Sequence, residues 1–388
     1  MRHFEFLSAE ESAALFSVAP AEFDRDGERD VLATALGATL YSPATRPALA
    51  EDLLRSRRRG VLSTVVCLED AIADADVEQA REHMVAQLRS LVGRGDELPL
   101  IFVRVRAVAQ IGRIVTDLGP AVSLVSGFVL PKFAPRIGRE YLEAVVTASQ
   151  AAGRHFWAMP VIETPDVIHA ETRAKALAGI SDLLGGFAEQ VLAIRIGGTD
   201  FASAYGLRRP KELTIYDVRL LADVLAAIVN RFGRAGLGGY VVTGPVWEYY
   251  SDSERLFKPQ LRETPFREHQ HDPALRAQLL GAELDGLIRE AVLDRANGLL
   301  GKTVIHPTHV ALVHALSVVS HEDHSDALAV LGRGGSGGGA FRSEYRNKMN
   351  ETSPHRAWAE KTVRRAAAFG VAAPGVTFAD LWAAVERG

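Results

Sequence analysis

Short apolar runs alternate with segments of helical period along most of this chain. The runs fall at residues 38–41, 61–68, 98–105, 128–131, 156–162, 191–196, 239–243 and 299–305. Runs of this length bounded by turn residues read as strands buried on both faces. Between them lie amphipathic segments, such as 76–91 and 216–232, whose apolar positions recur at helical spacing. Eight βα repeats predict an α/β chain folded as a (β/α)8 TIM barrel, with a doubly wound open sheet as the alternative. Residues 1–30 are mixed and acidic, with helical periodicity around 8–18, and read as an N-terminal extension. A long polar and aromatic insertion runs from Trp247 to His271 between the seventh and eighth strands; loops of this length serve as lids, binding loops or oligomer contacts. The barrel is expected over 31–320. A glycine-rich hinge at 333–339 and two helical patterns, one at 354–369, make 321–388 a hinge and a C-terminal helical lid.

In a parallel barrel the residues that follow the strands share one rim, where ligands bind. Glu163 follows the fifth run, and Gly197-Gly198-Thr199-Asp200 follows the sixth. Two carboxylates so placed suit a hard divalent cation such as Mg2+, and the glycine pair permits close backbone approach. Each acid could instead cap the helix that follows it, but their like placement on successive strands favours function. Glu69 and Asp70 end the second run, where they could hold waters or orient arginines; Asp70 could also be a helix cap. Arg104 and Arg106 share one face at the end of the third, and Arg104 is the better placed to clamp a substrate carboxylate. Lys132 puts a cation on the rim or simply faces solvent. His306 and His309 have zinc-ligand chemistry but no third ligand of matching spacing.

Composition narrows the functional classes. A net charge of −4 gives no electrostatic attraction to nucleic acid or an anionic membrane, so neither is expected as a partner. No apolar run approaches the ~18 residues of a membrane span and the N-terminus has no signal-peptide core; a cytoplasmic protein is expected. The single cysteine, Cys67, excludes an intrachain disulfide and lies in an apolar run as a buried, inert thiol. Gly301-Lys302-Thr303 lacks the upstream glycine of a phosphate-binding loop and precedes a strand, not a helix. Gly332-x-Gly334-x-x-Gly337 has no strand before it, so it matches a dinucleotide fingerprint only in letters. The basic run at 55–59 reads as a solvated helix end, or as a site for the phosphates of a nucleotide-bearing thioester.

Taken in order, Leu40-Tyr41-Ser42-Pro43, Leu68-Glu69-Asp70-Ala71, Val103-Arg104-Val105, Leu130-Pro131-Lys132, Ile162-Glu163-Thr164-Pro165, Gly197-Gly198-Thr199-Asp200 and Gly301-Lys302-Thr303-Val304-Ile305-His306-Pro307 resemble the citrate lyase β-subunit-like group of the HpcH/HpaI aldolase superfamily. The tail, with Asn347-Lys348-Met349-Asn350-Glu351, more closely resembles the branch linked to tellurium-resistance gene clusters, the carbon–carbon bond lyases of TIM-barrel fold. The resemblance implies a barrel enzyme that binds Mg2+ (or Mn2+) through Glu163 and Asp200 and grips substrate with Arg104. It further implies a lid acid from a neighbouring subunit, matched by Glu351 where the family usually has aspartate, and a homotrimer or hexamer. The chain departs from the family pattern in Ala44-Thr45-Arg46, where many relatives have a glycine-containing turn, and in the larger region at 208–273.

The expected activity is cleavage or formation of a carbon–carbon bond next to a carbonyl, through a metal-stabilised enolate of a 2-oxo acid or acyl thioester. Arg104, Glu69, Asp70 and Glu351 are the candidate catalytic groups. Arg46, Lys132, Gly197 and Gly198 are the candidate ligand-binding ones, with a coenzyme A thioester as one substrate class. Two other readings are a catalytically silent barrel that binds a small molecule or protein, and a barrel enzyme using phosphoenolpyruvate or pyruvate.

Overall fold

The computed structural model describes residues 1–236, 238–250, 284–333 and 339–387. Its strands are β1 (Phe16–Val18), β2 (Ala38–Pro43), β3 (Ser63–Cys67), β4 (Leu100–Arg104), β5 (Val125–Leu130), β6 (Trp157–Ile162), β7 (Ala193–Ile196), β8 (Val241–Val242), β9 (Lys302–Val304), β10 (Ala340–Arg342), β11 (Met349–Glu351) and β12 (Val371–Ala372). The eight strands β2 to β9 form one sheet in the order β8-β7-β6-β5-β4-β3-β2-β9, every neighbouring pair parallel. Gly244 closes the ring. It bridges in parallel to Lys302, its N–H donating to the Gly301 carbonyl at 3.0 Å and its carbonyl accepting from Thr303 N–H at 3.1 Å. The result is the (β/α)8 barrel that the repeating pattern predicts.

Alternation along each strand sorts the core into two layers. Ile101, Val103, Ile194 and Ile196 turn outward to the surrounding helices, whereas Val65, Phe102, Val129, Met159 and Val161 fill the interior. The strands are mostly shorter than their apolar runs, β9 falling to three residues, and two further departures stand out. β5 begins three residues before its run because Ser126 and Gly127 interrupt the apolar letters. Gly127 lies so close to β6 that a Cβ would stand 2.0 Å from the Trp157 carbonyl oxygen. β8 shrinks to two residues.

The terminal segments meet at the N-terminal end of the barrel. The helical pattern at 8–18 ends early: the helix Ala9–Leu15, opened by a capping box between Ser8 and Glu11, stops where Phe16 turns in to pack on Phe4. Residues 16–18 then pair antiparallel with β12. Arg25 donates to the carbonyls of Gly95, Pro99 and Leu124, all just ahead of β4 and β5. Residues 1–30 therefore wall off this end rather than trail from it. The helix Thr352–Phe369 packs on the helix Arg29–Ala35, with Arg364 bonded to Asp30 at 3.0 Å. The last helix, Phe378–Arg387, packs on Thr308–Ser317. These C-terminal helices, expected as a lid, thus stand at the end opposite the rim. Among the described residues no hydrogen bond or ion pair links them to the rim acids. The glycine-rich segment 334–338 and residues 251–283 of the insertion lie outside the described residues.

At this closed end His3 and His314 stack edge to face, 4.4 Å between centroids. His3 Nε2 meets the Ala35 carbonyl at 2.9 Å, and His314 Nε2 accepts the Ala38 N–H at 3.1 Å. Burial, opposed by the Ala35 contact, pulls the pKa of His3 down to about 4. A histidine that stays neutral in the fold but protonates when unfolded favours unfolding below its unfolded pKa near 6.5. Stability should therefore fall as pH drops from 6.5 towards 4, by roughly 3 kcal/mol from this residue alone. Urea unfolding at several pH values should show that slope, and His3→Phe should flatten it.

Candidate functional site

The strands β3, β4, β6 and β7 deliver the residues that follow them to one rim. Arg104 ends β4 on its inward face, two positions above Phe102, with Cys67 of β3 in register beside it. Glu163 follows β6 and is 3% exposed. Its Oε1 accepts from Arg104 Nη2 at 3.0 Å and from the backbone N–H of Lys132 at 2.8 Å. Lys132 reaches that bond from a left-handed conformation, φ 47°. Glu163 Oε2 takes neither donor and lies over Gly197, where a Cβ would come within 2.2 Å of it. Only glycine fits there. Gly198 is also confined, since a Cβ would meet Ile215 and Pro245 at 3.0 and 3.1 Å.

The remaining charges close round these. Arg104 Nη2 stands 2.8 Å from Glu69 Oε2 and 3.5 Å from Asp70 Oδ2. The Lys132 ammonium pairs with Glu69 and Asp70 and stands 4.0 Å from Asp200 Oδ1. Glu69, Asp70, Arg104, Lys132, Glu163, Gly197 and Asp200 are thereby brought together as one constellation. None of its acids is a helix cap. Thr164 and Gly197 occupy the N-cap positions after β6 and β7, and Asp70 precedes no helix directly. Arg106 is spent differently, donating to the carbonyls of Glu69 and Ile72 and pairing with Asp74.

Burial raises the Glu163 carboxyl to about 7; Arg104 opposes this and neighbouring Asp200 adds to it. Burial also raises Glu69. For Arg104 burial works against the charge, but Glu163, Tyr41 and Glu69 outweigh it and hold the guanidinium above its ordinary value. The perturbed group is thus a carboxylate whose charged form burial disfavours.

Beside the rim lies a pocket of about 420 Å3, lined in part by Tyr41, Arg46, Arg55, Arg59, Tyr250 and His306. Asp52 pairs with Arg46 at 2.6 Å and with Arg55 at 3.3 Å. Tyr250 stacks on His306, 4.8 Å between centroids and 6° between planes. The basic run at 55–59 is therefore not one solvated face: Arg57 turns inward to pair with Glu5, while Arg55 and Arg59 border the pocket.

His306 hydrogen-bonds Thr308 at 2.7 Å, and His309 is buried with its ring 5.9 Å from it. Lys302 sits buried between Glu290 at 2.9 Å and Asp294 at 2.7 Å, so its role is internal pairing. Cys67 is a buried thiol whose pKa burial pushes up. Glu351 ends β11, its N–H bonded to His355 Nδ1 at 3.0 Å, and is not brought to the rim of its own chain by any hydrogen bond or ion pair among the described residues. Sequence reasoning passed over Arg195 and Tyr41. The signal was there: an arginine inside the apolar run of β7, and a phenol closing the apolar run at 38–41.

A family model described as a C–C bond lyase of the TIM-barrel fold matches residues 30–371. Among solved structures, a citrate lyase from Burkholderia xenovorans LB400 superposes with a TM-score of 0.60 at 17% identity, covering 87% of this chain and 94% of that one. The protein CitE from Mycobacterium tuberculosis, in complex with magnesium, acetoacetate and coenzyme A, gives 0.51 at 21% identity, covering 86% and 99%. A magnesium/glyoxylate complex of Haloferax volcanii malate synthase gives 0.50 at 17% identity, covering 70% and 72%. At these identities the likeness is one of fold. A comparison of the sequence with curated proteins found no match.

Proposed function

This chain belongs to the family of C–C bond lyases of the TIM-barrel fold, and from that premise we propose that it is a Mg2+-dependent lyase that makes or breaks a carbon–carbon bond next to a carbonyl through an enolate. The observation that carries the reading is the pair of oxygens offered at the rim. Glu163 Oε2, over Gly197, has no hydrogen-bond donor among the described residues, and Asp200, with only a 4.0 Å approach from Lys132, lies close enough to raise the Glu163 pKa. Among the described residues no group of three or more His, Cys, Asp or Glu is placed to hold an ion by itself. Two carboxylates completed by substrate and water is the usual manner of Mg2+ binding.

Glu163 and Asp200 would hold the ion, which when bound supplies Lewis-acid polarisation of the carbonyl. Arg104 is a fixed cation beside them, aimed at the oxygen on which enolate charge develops. Glu69 and Asp70, seated against Arg104 and Lys132, would hold the water that takes a substrate hydroxyl proton. In the reading that gives Glu351 a catalytic part, it serves a neighbouring copy, as in a homotrimer or hexamer. Arg46, Arg55 and Arg59, with the stacked Tyr250–His306 pair, suit the phosphates and base of a coenzyme A thioester. The solved CitE complex with magnesium, acetoacetate and coenzyme A makes that substrate class the first to try.

Calorimetric titration with Mg2+ and a panel of 2-oxo acids and acyl thioesters tests the proposal. At least one of them should bind only in the presence of the ion, and the wild type should turn it over. Ligand binding indifferent to Mg2+ would favour the silent, binding-only barrel.

A further inference from the structure

Arg195 is the anomaly of the barrel interior. It is 1% exposed and lies in β7 two positions below Gly197. Among the described residues it has no carboxylate partner. Nη2 donates to Thr303 at 2.7 Å, Nη1 to Thr39 at 3.3 Å and weakly to the Met159 sulfur at 3.8 Å, while Nε has no partner. A buried guanidinium answered only by neutral acceptors is costly to fold, and an apolar residue would serve a purely structural purpose better. Its charge is directed at one group. The guanidinium carbon lies over the Tyr41 ring, 5.3 Å from its centre.

Arginine can only donate. The phenol packed against it can therefore give its own proton only to an acceptor other than Arg195. Arg104, Cys67 and Glu163 are all within electrostatic reach of the phenol. Tyr41 also borders the 420 Å3 pocket beside the rim, and its ring rests on Arg195, two positions below Gly197 of the rim site.

Building on the lyase reading, we propose that Tyr41 is a further catalytic residue, its O–H donating a hydrogen bond to the enolate oxyanion, and that Arg195 is the positioning residue that orients and polarises it. A phenol polarised by a neighbouring cation is a stronger donor, and a donor fixed before charge develops stabilises the transition state more than the ground state. The cost of burying Arg195 unpaired is then met by function.

Oxalate, a planar dianion shaped like enolpyruvate, is the probe, with pyruvate as the ground-state comparison, both titrated by calorimetry in the presence of Mg2+. Tyr41→Phe should weaken oxalate binding tenfold or more, with pyruvate and Mg2+ affinities within twofold of wild type. Arg195→Met should weaken oxalate to a similar degree while leaving the melting temperature unchanged or raised; an arginine held for structure alone would lower it. Oxalate affinity unchanged in Tyr41→Phe overturns this assignment and leaves the lyase reading standing. A loss of thermal stability in Arg195→Met without weaker oxalate binding removes Arg195 from it. Failure of wild type to bind oxalate with Mg2+ overturns this assignment as well, while the lyase reading then stands or falls on the acyl thioesters of the panel.

Discussion

Replacing Asp200 with asparagine should abolish tight Mg2+ binding and cut turnover about a thousandfold, the equivalent of the several kcal/mol that Lewis-acid stabilisation provides. The fold should not notice. The Asp200 side chain is 30% exposed and its ion pair among the described residues is a loose 4.0 Å approach to Lys132, so its stability effect belongs with surface substitutions, within about 0.5 kcal/mol. Asparagine keeps the shape and an oxygen but removes the charge that a hard cation needs. The same change removes the anion that helps push Glu163 up to about 7, so the pKa of Glu163 should fall in the variant. Metal titration, turnover of the panel substrate and a thermal melt on one preparation separate these effects. Unchanged turnover, or wild-type turnover in excess chelator, would count directly against the metal scheme. Equal losses of stability and activity would recast Asp200 as a structural residue.

Much of this architecture was legible because a strand buried on both faces must be written in apolar letters. The rim acids were legible for a related reason: Glu163 and Asp200 stand out where such a run stops, and a parallel barrel sends every stop to the same end. Contacts between distant segments left no comparable mark. β1 and β12 are three and two residues long and meet across the whole chain, so no local pattern announces them. The helical period at 8–18 even argued for another state until Phe16 found its tertiary partners, Phe4 and the backbone at Gly370. Arg195 and Lys302 show the limit within a strand. A charged letter in an apolar run marks something unusual, but only the fold shows that one meets buried carboxylates and the other a phenol.

Lys302→Met should destabilise the protein by about 3–5 kcal/mol, the range for removing one member of a buried ion pair. The lysine is 1% exposed, between Glu290 and Asp294, which are equally enclosed. Glu290 would retain Arg209 and the Ile215 N–H. Among the described residues Asp294 would retain only the Tyr216 hydroxyl, at 2.8 Å, and would have to take up a proton or remain a buried anion. The position magnifies the cost. Lys302 bridges Gly244 at the seam that closes the barrel, and Asp294 presses so close to Gly244 that a Cβ there would stand 2.5 Å from its Oδ2. Repulsion at this point would therefore act on ring closure. Adding Asp294→Asn to Lys302→Met should restore part of the loss, because it removes the unpaired charge that the first change created. Urea unfolding of the single and double variants measures both quantities. A single variant within about 1 kcal/mol of wild type, or a double variant weaker than the single, would show that the seam is held by backbone pairing and packing rather than by this buried charge network.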